Sequence, residues 1–255
     1  MAIDSLARMV AEPPPGVDQE ISEERDEMFK PGRRDLYFEM GAAALRAIRV
    51  ALLTAGIEQP RRILDFPCGH GRVMRMLRAE FCDAELTGGD LNTDGIEFCA
   101  RKFGSTPVQS GIRAEEVELG GRFDLVWCGS LLTHLDRDRY DGFFSLLTNA
   151  LDEGGVLVFT AFGRHAADRI RRGEALYGLG NEGARKILSE FDRDGFGYSD
   201  YEGQTLSGMT LTSPSFVCDR LESARDLRLV GYTERGWHGH QDVIACTRTG
   251  AQAAS

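Results

Sequence analysis

Ile63-Leu64-Asp65-Phe66-Pro67-Cys68-Gly69-His70-Gly71-Arg72-Val73 is the stretch on which the fold turns. A short apolar run enters a glycine-bearing turn, and the turn opens a helix read over residues 73–80. Glycine lets a ligand approach the backbone closely, because no side chain intrudes. A helix N-terminus offers free N–H groups and partial positive charge. The turn therefore suits the carboxylate of an amino-acid-bearing ligand, or a phosphate.

Outward from this turn, strands and helices alternate. Strands are read at 84–90, 107–109, 123–128 and 156–160, with helices at 94–103 and 139–151 between them. That order predicts a Rossmann-like α/β fold: a doubly wound, mostly parallel seven-stranded sheet with helices on both faces. The runs 227–232 and 242–247 are joined by a short connection and pair as an antiparallel C-terminal hairpin. Residues 164–190 read as helical, 196–212 as irregular structure or a β-hairpin, and 215–225 as helix. A small cap insertion is expected at about 164–214. Upstream, Leu36, Met40, Leu45, Ile48 and Leu52 mark a helix over 35–55 with Gly56 as its C-cap. Residues 1–34 are read as a leader, flexible through Pro13-Pro14-Pro15-Gly16 and then forming a short acidic helix over 18–30. A single domain then fills 35–255.

The 30 basic and 40 acidic residues give a net charge of −10, which disfavours a nucleic-acid partner. The basic patch Arg169, Arg171, Arg172 is either a solvated helix face or a contact for an anionic substrate. Six cysteines without a C-x-x-C pair read as reduced thiols in a cytoplasmic protein. No run approaches the ~20 apolar residues of a membrane helix, and no membrane partner is expected.

Asp90 ends the second strand, 19 residues past Gly71. A carboxylate there accepts hydrogen bonds from the two hydroxyls of a ribose. A dinucleotide loop, G-x-G-x-x-G, requires glycine at position 74, where Met74 stands. Asp65 would also set negative charge beside a pyrophosphate, whereas it suits a cofactor that carries an ammonium group.

The loop Asp65-Phe66-Pro67-Cys68-Gly69-His70-Gly71 resembles the glycine-loop signature of class I S-adenosylmethionine-dependent methyltransferases. Gly89-Asp90-Leu91-Asn92, the strand at 122–128 and the turn into the fifth strand at 151–159 resemble that family in the same order, so the likeness covers about residues 60–165. It implies S-adenosyl-L-methionine as cofactor and S-adenosyl-L-homocysteine as product. Asp65, Gly69 and Gly71, with Pro67 and Cys68 in the same loop, would surround the methionine moiety. Asp90 would hold the ribose, Leu91 would lie against the adenine, and Gly111 and Ile112 would line the adenine pocket. Cys128, Gly129 and Ser130 would lie beside the sulfonium. Two features depart from the family: Pro67 stands where glycine is usual, and no acidic residue follows the third strand to meet the adenine amine. Arg34 and Tyr37 either fold over the cofactor carboxylate or, for the tyrosine, pack beneath their helix.

A hydroxyl acceptor benefits from a general base. His134, just past the fourth strand, is the leading candidate, against the alternative of a structural histidine. His238 and His240 flank Gly239 in the final turn and are further candidates. An H-x-H pair lacking a third ligand gives no metal site. Trp237 is expected to wall the acceptor pocket, and His165, Tyr198 and Tyr201 to touch the acceptor. His70 is expected to shape the loop. The expectation is methyl transfer to a small-molecule acceptor at a hydroxyl oxygen, a sugar or polyhydroxyl compound being one example. The alternatives are a protein or nucleic-acid methyltransferase, a nicotinamide-dependent oxidoreductase, and a non-catalytic cofactor-binding module.

Overall fold

The computed structural model describes residues 12–250; the remainder of the expected leader, residues 1–11, lies outside them. Helix α1 (Arg34–Ala55) ends at Gly56, whose left-handed backbone, φ 74°, lets its N–H return to the carbonyls of Leu52 and Leu53. Then follow β1 (Arg62–Asp65), α2 (Met74–Glu80), β2 (Glu85–Asp90), α3 (Thr93–Phe103), β3 (Thr106–Gln109), β4 (Phe123–Cys128), α4 (Arg137–Asn149) and β5 (Leu151–Ala161). After them come α5 (Arg164–Arg171), α6 (Asn181–Asp194), β6 (Phe196–Asp200), β7 (Gly208–Thr212), α7 (Pro214–Ser223), β8 (Leu227–Trp237) and β9 (Gln241–Arg248).

Seven strands form one sheet in the order β3-β2-β1-β4-β5-β9-β8. The first five are mutually parallel, and β9 runs antiparallel to both β5 and β8. Side chains alternate between two cores, as a sheet covered on both faces requires. Ile63, Leu125, Trp127, Val156 and Val158 pack against α1, α2 and α3. Leu64, Val126, Cys128, Leu157 and Phe159 pack with Tyr140, Phe143 and Leu147 of α4 and Val217 of α7. The strand order reverses between β1 and β4, which opens a crevice at their carboxyl ends.

Between β5 and α7, β6 and β7 pair as a separate two-stranded antiparallel sheet, and Phe162, Ala167, Ile187, Phe191, Met209 and Leu211 form a core of their own. The helical run read over 164–190 is two helices: Gly173, at φ 67°, follows the end of α5, and Gly180 caps α6. Residues 18–30 form turns rather than a helix. Asp26 accepts a hydrogen bond from the N–H of Met28, two residues on, at 2.9 Å, and such local bonding competes with helical pairing. Among the described residues no helix is long and apolar enough to cross a membrane. All six cysteines are free thiols.

Candidate active site

The crevice has a volume of about 270 Å³, and its walls come from the ends of β1, β2, β4 and β8. Of the residues singled out from sequence, Asp65, Pro67, Cys68, Gly69, Asp90, Gly129, Ser130, His134 and Trp237 line it.

Asp65 is 1% exposed, and neither carboxylate oxygen has a well-formed hydrogen bond. Burial holds its pKa well above the usual carboxylate range, and Asp90 pushes the same way, while Arg72 and the N–H of Met74 pull against them. An unpartnered buried carboxylate is costly, so this wall is built for a cationic donor. Asp90 is held from two sides: its Oδ2 accepts the Gly69 N–H at 2.8 Å, and its Oδ1 accepts the Asn92 N–H at 2.9 Å. The glycine loop and the end of β2 are thereby one unit.

Gly95, in the first turn of α3, makes this close approach possible. A Cβ there would lie 2.6 Å from the Gly69 carbonyl oxygen. Alanine improves helix propensity by about 1 kcal/mol, but overpacking against backbone costs about 1–3 kcal/mol. Gly95→Ala is therefore expected to lower the thermal midpoint and to weaken any ligand held by the loop, measurable by calorimetry and titration on one sample.

His134 lies in the loop after β4. Its Nδ1 is 2.9 Å from the Gly208 carbonyl and 2.8 Å from the Tyr201 hydroxyl. A carbonyl only accepts, so Nδ1 carries the proton and Nε2 the free lone pair. Burial lowers the pKa of the ring, against the pull of the Gly208 carbonyl. The neutral, base-competent form is thus favoured. The Thr210 N–H donates to the Thr133 carbonyl at 2.8 Å, which ties β7 to this loop.

Several expected contacts lie elsewhere. Tyr37 is buried, and its hydroxyl donates to Asp26 at 2.6 Å. Arg34 bonds to the Gln19 carbonyl and Glu23. Gly71 is turned toward the Phe103 ring. Leu91 and Ile112 are 56% and 52% exposed, and Gly111 abuts Glu116. Cys128 is sealed in the core, where burial pushes its thiol up to about 12. Tyr198 donates to Asp200 at 2.6 Å and meets Arg139. His238, with φ 51°, stands 3.6 Å from Glu39 and lines a separate groove with Pro13 and Phe38. His240 packs edge-on to Phe162 at 5.2 Å, and His165 lies on α5. None of these lines the crevice. His70 does, and its Nε2 pairs with Asp94 at 2.9 Å.

Sequence reading missed Asp26, Glu27 and Met28, which line the crevice from the segment preceding α1. Arg75 clamps that segment by donating to the carbonyls of Asp18 and Glu20 at 2.9 and 2.7 Å. Lys102 pairs with Glu20 at 2.6 Å, and Arg25 pairs with Asp94. The alternation of acids with Ile21 and Phe29, which pack on Tyr37, was its one visible signal. Arg72 was also missed, although it follows the last loop glycine. Its guanidinium lies over the Trp237 ring at 5.5 Å, and among the described residues no hydrogen bond reaches it. The crevice thus offers an unpartnered carboxylate and a guanidinium on one wall, a complement to an amino acid's ammonium and carboxylate.

Residues 63–155 match the model of a family described as "Methyltransferase domain". Over these residues the chain is similar to a methyltransferase domain. Its sheet is that of the class I S-adenosylmethionine-dependent methyltransferases. The fatty-acid O-methyltransferase of Mycolicibacterium smegmatis is 32% identical over 103 residues, which are 39% of this chain and 36% of that protein. The chain therefore spans little more than a third of that relative. The crystal structure of an S-adenosylmethionine-dependent methyltransferase from Clostridium acetobutylicum superposes with a TM-score of 0.57 at 14% identity, covering 84% of this chain and 92% of the other. The 1,6-didemethyltoxoflavin-N1-methyltransferase of Burkholderia thailandensis, solved with S-adenosylhomocysteine, gives a TM-score of 0.55 at 16% identity, covering 85% and 82%. At these identities the structural likeness is one of fold. The matched residues include the glycine loop, Asp90 and His134, whereas β8 and β9 lie beyond them.

Proposed function

We propose that the protein binds S-adenosyl-L-methionine and transfers its methyl group to an oxygen of a small-molecule acceptor, in the cytoplasm. The observation that carries the reading is the unpartnered, buried Asp65 carboxylate facing the crevice beside Arg72. That pair fits the ammonium and carboxylate of a methionine moiety. Asp90, at the rim of the same crevice, would take the ribose hydroxyls. When bound, the cofactor supplies a methyl carbon activated by its sulfonium.

The protein's own part is alignment and proton removal. Ser130 is held by Gln241, whose Nε2 donates to its Oγ at 2.7 Å, and by Thr160, whose Oγ1 accepts its N–H at 2.8 Å. Trp237 is pinned by donating to the Met40 carbonyl at 3.0 Å and by an edge contact to Trp127 at 5.5 Å. The Nε2 of His134 would take the proton of the acceptor hydroxyl. An oxygen acceptor agrees with the fatty-acid O-methyltransferase relative; a sugar or polyhydroxyl acceptor has no such support.

Isothermal titration with S-adenosylmethionine, S-adenosylhomocysteine and NAD tests the reading. Binding of the first two but not NAD, lost in Asp90→Ala, is the expected result. No binding of either by the folded protein would overturn it.

A further inference from the structure

A second constellation lies outside the crevice lining and touches residues that form it. Phe162, Tyr177 and His240 form a ring cluster with centroid separations of 5.2 to 5.9 Å. It connects to the crevice from both sides. On one, the Tyr201 ring that meets His134 also packs on Gly178, where a Cβ would lie 3.2 Å from its Cδ1. On the other, the turn after Trp237 carries His240, whose N–H returns to the Trp237 carbonyl at 3.0 Å. Arg169 lies over the Tyr177 ring at 5.7 Å, with Nη1 3.4 Å from its hydroxyl. Its acidic neighbour, Glu174, is 3.6 Å away and is bound more tightly by Arg172 at 2.6 Å.

Strain gathers here as well. Tyr177, in the cluster, and Ser130, at the crevice, hold positive φ values of 54° and 65°. Strained backbone of this kind persists where surrounding structure demands it and marks functional surfaces. In a chain of net charge −10, His165, His238, Arg169 and the half-buried His240 lie close enough for the other three to depress the pKa of His240, after burial itself.

We propose that the acceptor is a flat, aromatic acid whose ring lies against Tyr177 and His240, whose anionic group is held by Arg169, and whose hydroxyl oxygen is presented to His134. The proposal rests on the methyltransferase reading above. Rings supply a flat apolar surface, and a guanidinium gives a carboxylate two parallel hydrogen bonds.

The test uses 4-hydroxycinnamate and its methyl ester, titrated into protein saturated with S-adenosylhomocysteine. The acid is expected to bind about tenfold or more tightly than the ester, the usual advantage of a charge-assisted hydrogen bond. Arg169→Gln should abolish that preference while leaving S-adenosylhomocysteine affinity and the thermal midpoint unchanged. Tyr177→Ala should weaken acid and ester alike. Equal binding of the two probes, binding of neither, or a preference that survives Arg169→Gln overturns the proposal. Failure of S-adenosylhomocysteine itself to bind is read separately, in the first titration, and removes the methyltransferase reading along with it.

Discussion

Asp65→Asn should weaken S-adenosylhomocysteine binding by about 2–5 kcal/mol, at least about thirtyfold, because it leaves a buried ammonium without its counter-charge. The same substitution should stabilise the ligand-free protein at neutral pH. The reason is linkage. The folded-state pKa of Asp65 is raised, chiefly by burial, above the roughly 3.9 of an unfolded aspartate. Below that pH both states hold the proton and no penalty arises. As pH rises through it, the unfolded chain releases its proton first, and stability falls until the folded pKa is passed. Thermal midpoints of the wild type and the variant should therefore converge near pH 4 and separate toward neutrality, with the variant higher. A variant that is less stable at pH 7, or that binds the cofactor as tightly as the wild type, would contradict the placement of Asp65 as an unpartnered carboxylate awaiting a cation.

His134→Ala should lower turnover by roughly a hundredfold or more, with S-adenosylhomocysteine affinity nearly intact. The measurement is S-adenosylhomocysteine release with any acceptor the wild type uses. Burial depresses the pKa of His134, so the wild-type rate should hold steady as pH falls through the ordinary histidine range near 6.5 and decline only below it. Tyr201→Phe removes a hydroxyl from Nδ1 but leaves the Gly208 carbonyl. It should shift that decline rather than abolish turnover. An unchanged rate in His134→Ala would remove the residue from the mechanism.

Much of this site is written locally. Gly69 and Asp90 could be read because a glycine turn and a strand-end carboxylate have fixed places along a βαβ unit. The opposite happened at Tyr37 and the two C-terminal histidines. Tyr37 sits on a helix correctly read, yet its hydroxyl is claimed by Asp26 of a segment whose path nothing local announces. His238 and His240 are two residues apart in the sequence but face different surroundings: one stands near Glu39, the other among Phe162 and Tyr177. The left-handed backbone at His238 and Gly239 separates them, and side-chain direction in such a turn follows φ rather than any periodic pattern.

The sequence alone determined the doubly wound sheet, the helix read over 35–55, the C-terminal hairpin and the glycine loop with its acidic partner. Each depends on periodic burial or on the backbone freedom of glycine, which act over a few residues. Tertiary structure decided the rest. It brought Asp26, Glu27 and Met28 to the crevice through Arg75 and Lys102, set Arg72 over Trp237, and fixed the protonated nitrogen of His134 through a carbonyl 74 residues away. These are pairings between distant segments, where charge, hydrogen bonding and ring packing choose partners only once the sheet has placed them side by side.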